Sequence, residues 1–85
     1  MEIKEEIIER IAQSVNMMRE AGVTERLVAV VPWLLFVQYR PIWDDVKEKT
    51  GVYKVESDPT IKDIMVLQRS DYLRIVINKL NFGEA

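Results

Sequence analysis

The chain has 85 residues, 48 % apolar and 31 % charged, with 14 acidic and 12 basic side chains and a net charge of −2. That size and balance describe one small globular domain, 1–85, and exclude any general attraction to nucleic acid or an anionic membrane. The absence of cysteine and histidine excludes disulfides, thiolate zinc sites, thiol nucleophiles and imidazole bases.

No cofactor and no metal are implied. The opening "MEIKEEIIER" is acidic and helical in pattern, unlike a signal or transit peptide, so the cytoplasm is the default location. Ile3, Ile7, Ile8, Ile11, Val15 and Met18 recur three and four residues apart and predict an amphipathic helix over 3–21. Glu2, Glu5 and Glu6 complement the helix dipole at its start. Gly22 followed by Val23 reads as its C-terminal cap with a hydrophobic contact.

Thr24 is a candidate cap for a second helix from Glu25 to about Val30, broken before Pro32 and restarted there. Pro41 starts a further helix, "PIWDDVKEKTG", with acids early, lysines late and Gly51 past its end. Residues 52–57 read as extended. Asp58 then caps "PTIKDIMVL", and Ser70 caps "DYLRIVINKL", whose Leu73, Val76, Ile77 and Leu80 fall on one face. The resulting expectation is an all-α bundle of four to five short helices. The alternative is α+β, with an N-terminal helix and a C-terminal three-stranded meander from the β-branched runs "VYKVE", "IMVLQ" and "LRIVI".

The stretch "LVAVVPWLLFVQYRPIW", 27–43, opens with thirteen uncharged residues and holds both tryptophans. As a helix that run reaches about 20 Å, short of a bilayer core of about 30 Å, so it spans no membrane. Trp33 to Val37 are five consecutive large apolar residues, and a helix through them is hydrophobic all round. Either neighbouring helices cover it as core, or one side is left for a partner. Trp33, Phe36 and Arg40 share a face by helical spacing, and Trp43 follows just past Pro41. Such a face makes an apolar patch of roughly several hundred Å² with the residue types that dominate interfaces. The functional expectation is a protein–protein interaction module, a homo-oligomer or a small adaptor, binding through 33–43.

A second expectation is a helix-turn-helix over 60–80, with Arg69, Arg74, Asn78 and Lys79 as donors to phosphates and base edges. Asp71, the bulky Met65 and the acidic balance weigh against it. Catalysis is not expected. Glycines 22, 51 and 83 stand alone and form no phosphate loop, and serines 14, 57 and 70 have no histidine to activate them. Asp44 and Asp45, the one adjacent carboxylate pair worth testing as a site, point about 100° apart on a helix and read as a solvated face. Met18 reads as core.

Overall fold

A computed structural model describes residues 3–83, and Glu2 lies outside the described residues. The elements run α1 (Ile3–Glu20), β1 (Leu27–Pro32), α2 (Trp33–Gln38), a 3-10 turn (Arg40–Ile42), α3 (Trp43–Thr50), β2 (Lys54–Asp58), β3 (Met65–Gln68) and α4 (Arg69–Gly83). The strands form one sheet in the order β2-β1-β3, with β2 parallel and β3 antiparallel to β1.

The fold is therefore α+β, the class given as the alternative, and not an all-α bundle. The helix expected from Glu25 to Val30 is replaced by the central strand. Every residue from Leu27 to Val31 is buried, so the uninterrupted apolar run is what a strand covered on both faces requires. The helix expected over 59–67 is replaced by a turn and β3. Asp58 does cap that segment, but its carboxylate accepts from the Thr60 N–H at 2.7 Å and closes a turn. Two of the three runs expected for a meander are strands, whereas "LRIVI" lies inside α4. The central strand comes from 27–32, which turns a local meander into a mixed sheet with a crossover.

Alternation along β1 divides the interior. Leu27, Ala29 and Val31 join Ile7, Ile11 and Val15 of α1 and Trp43 and Val46 of α3 in the main core. Val28 and Val30 point to the opposite face, where α4 lies over the sheet. Parallel β1 and β2 need a long crossover, and α2, the 3-10 turn and α3 supply it.

The C-terminal ends of α1 and α3 follow their sequence signals, whereas Ser70, expected as a cap, lies inside α4. Gly22 has φ +93°, and Val23 N–H donates to Met18 O at 3.0 Å while Gly22 N–H donates to Arg19 O at 3.1 Å. Both Met18 and Val23 pack on the core, completing the hydrophobic contact of this cap. Gly51 closes α3 with φ +79° and an N–H donated to Lys47 O. Helix α4 departs from expectation. Tyr72 and Val76 are half-buried, whereas Leu73, Ile75, Ile77 and Leu80 are exposed, with Ile75 at the edge of the cleft against the sheet. The helix carries apolar residues on two sides, so sequence spacing alone did not identify the buried one.

Candidate functional site

The segment 33–43 does not present one face. In α2, Leu35 and Phe36 turn towards the core, and Trp33, Leu34 and Val37 point outward at 48 %, 73 % and 44 % exposure. Trp43 is only 6 % exposed. Its indole N–H donates to Phe36 O at 2.8 Å, and the two rings stack with centroids 5.6 Å apart. The four residues expected to act together are thus split. Phe36 and Trp43 meet as interior packing, Trp33 reaches the surface, and Arg40 is exposed in the 3-10 turn. The proline at 41 breaks the helix, so positions before and after it do not share a helical face.

The outward face of α2 gains neighbours that lie far away in sequence. Pro32 pairs with Asp58 at the end of the parallel ladder, so the chain leaving β2 emerges beside the start of α2. Pro59 and Ile61 there line a hollow of about 120 Å³ with Pro32, Trp33 and Leu34. Leu34, Val37, Pro59 and Ile61 were not singled out from sequence. The signal that locates Pro59 and Ile61 is strand pairing between residues 26 positions apart, which helical periodicity does not carry.

Ile61 also belongs to the cleft of about 180 Å³ between the sheet and α4, lined in part by Val30, Met65, Leu67 and Tyr72. Polar groups hold this end in shape. Asp58 accepts from the Thr60 hydroxyl at 2.6 Å and pairs with Lys79. The Lys79 ammonium, followed by the two Thr60 donors, lowers the Asp58 pKa to about 2. Burial of the Tyr72 ring between α4 and the sheet raises its pKa.

The residues of the helix-turn-helix reading do not assemble. With 65–68 in the sheet the first helix of that motif is absent. Arg74 and Asn78 are exposed on α4, Lys79 is committed to Asp58, and Arg69 lies 5.9 Å from the Tyr53 ring. Of the adjacent acids, Asp45 sits between Lys4 at 2.7 Å and Lys49 at 3.4 Å. The Lys4 ammonium is the main cause of its lowered pKa. Among the described residues no group of three or more acids converges as a metal site.

No helix of the described residues is long and apolar enough to cross a membrane. No protein-family model matches this sequence, and no curated protein matches it.

Proposed function

We propose that this chain acts by protein–protein association, docking through the outward face of α2 together with the chain that follows β2. The face consists of Trp33, Leu34 and Val37, extended by Pro59 and Ile61, with Arg40 at its margin. The exposure of three large apolar side chains on one six-residue helix supports the reading. Contiguous apolar surface of roughly 300–600 Å² on a small protein commonly marks an interface, and tryptophan at its centre is a common anchor. Phe36 and Trp43 take no direct part, since they hold α2 in place from beneath.

The partner to test first is a second copy of the chain. Light scattering over a hundredfold concentration range is expected to show a dimer or larger species. Leu34→Ser is expected to shift it towards monomer without changing the far-ultraviolet circular dichroism. A native chain that stays monomeric throughout would overturn self-association. An oligomer insensitive to Leu34→Ser would overturn this face as the contact.

A further inference from the structure

The opposite end of the sheet holds an unneutralised cation pair. Leu27 pairs with Gln68 in the antiparallel ladder, and Arg69 N–H donates to Arg26 O at 2.8 Å one step further on. Arg26, just before β1, and Arg69, just after β3, therefore stand opposite each other at the end of the ladder, where like charges repel. Both guanidinium groups gather on one exposed ring, with Cζ of Arg26 4.6 Å and Cζ of Arg69 5.9 Å from the Tyr53 centroid.

Among the described residues, neither guanidinium has a carboxylate within ion-pair distance. The adjacent acid, Glu25, has both oxygens committed to Ser70, accepting from its N–H at 2.6 Å and its hydroxyl at 3.0 Å. Arg19 adds a third cation to this end. Its guanidinium is tied to the carbonyls of Val23 at 3.0 Å and Glu25 at 2.7 Å. Three arginines thus gather at this end with no ion pair among the described residues, in a chain that is acidic overall.

We propose that Arg26 and Arg69 together bind one phosphate dianion, free or as the terminal group of a phosphomonoester. A guanidinium offers paired N–H donors that match phosphate oxygens. The charge of a phosphomonoester near neutral pH, about −2, balances the two side chains, and its arrival relieves their repulsion. The Tyr53 ring keeps both side chains at the site before the ligand arrives. The surface is independent of the α2 face, so either assignment stands without the other.

The test is amide chemical-shift titration of the ¹⁵N-labelled chain with inorganic phosphate and, separately, with phosphorylethanolamine, against sodium chloride of equal ionic strength. Saturable shifts are expected at Arg26, Tyr53, Arg69 and Ser70, weakened at least tenfold in Arg26→Gln and in Arg69→Gln. Arg69→Lys keeps the charge without the paired donors and is expected to bind at an intermediate level. Folding of each variant is checked by its dispersed spectrum. Arg26→Gln removes the Tyr53 contact along with the repulsion, so it is expected to melt close to the parent. Equal binding of the two probes identifies a terminal phosphate as the recognised group, and a response to inorganic phosphate alone identifies the free ion. Shifts that do not saturate, that chloride reproduces, or that survive both glutamine variants would overturn the site.

Discussion

Trp43 stacks on Phe36 with an interplanar angle of 14° and donates its indole N–H to the Phe36 carbonyl. One side chain from the start of α3 therefore both packs under α2 and satisfies a carbonyl there. Trp43→Ala is expected to destabilise the fold by about 3–5 kcal/mol, the usual range for deleting a buried aromatic ring. For a chain of this size the loss is severe, and denaturant unfolding will measure it. Trp43→Phe keeps a ring but leaves the Phe36 carbonyl without its donor, at an expected cost of about 1–3 kcal/mol. A Trp43→Ala chain as stable as the parent would contradict this packing.

Leu34 is two residues from Phe36 and so on the opposite side of α2. Its exposure of 73 % means little apolar area is removed from water within the monomer. Leu34→Ser is therefore expected to change monomer stability by no more than about 0.5 kcal/mol, in contrast with Trp43→Ala. Urea unfolding at a concentration low enough to exclude association separates the two effects. A large loss at Leu34 would show that this side chain stabilises the monomer after all.

Periodicity and capping made α1 and α3 legible because each has one buried stripe and a glycine terminator. Ile7, Ile11 and Val15 are buried as their spacing implies, and Gly22 and Gly51 carry the positive φ expected of caps. The central strand was not legible in the same way. A run buried on both faces has no polar phase, so Leu27–Val31 fits a buried helix as well as a buried strand. What decides between them is pairing with Lys54–Asp58 and Met65–Gln68, which is non-local. The same non-local pairing builds the candidate site, since it alone brings Pro59 beside Trp33.

Gly51 offers a clean test of backbone conformation. Its φ of +79° lies in the left-handed region, and a Cβ built there meets nothing within 4 Å. The cost of Gly51→Ala is therefore conformational and not steric, about 1–2 kcal/mol. The expected result is a lower urea midpoint with an unchanged slope. Gly51→Asn is expected to lose less, because asparagine tolerates this conformation better. Equal losses for alanine and asparagine would assign the effect to something other than φ.

Asp58 joins the end of β2 to α4 through Lys79 and to its own turn through Thr60. Its folded pKa of about 2 lies below the unfolded value of about 3.9. The folded state therefore holds this carboxylate ionised more strongly than the unfolded chain does. The stabilisation is complete above about pH 4 and is lost as pH falls towards 2. Asp58→Asn removes both the charge and this dependence, so the stability gap between parent and variant is expected to close over that interval. Half of the Lys79 side chain is exposed, so added salt is expected to narrow the gap at neutral pH as well. Urea unfolding from pH 2 to 7 for both chains measures it. A gap that stays constant across the interval would show that Asp58 stabilises the turn through shape alone, without its charge.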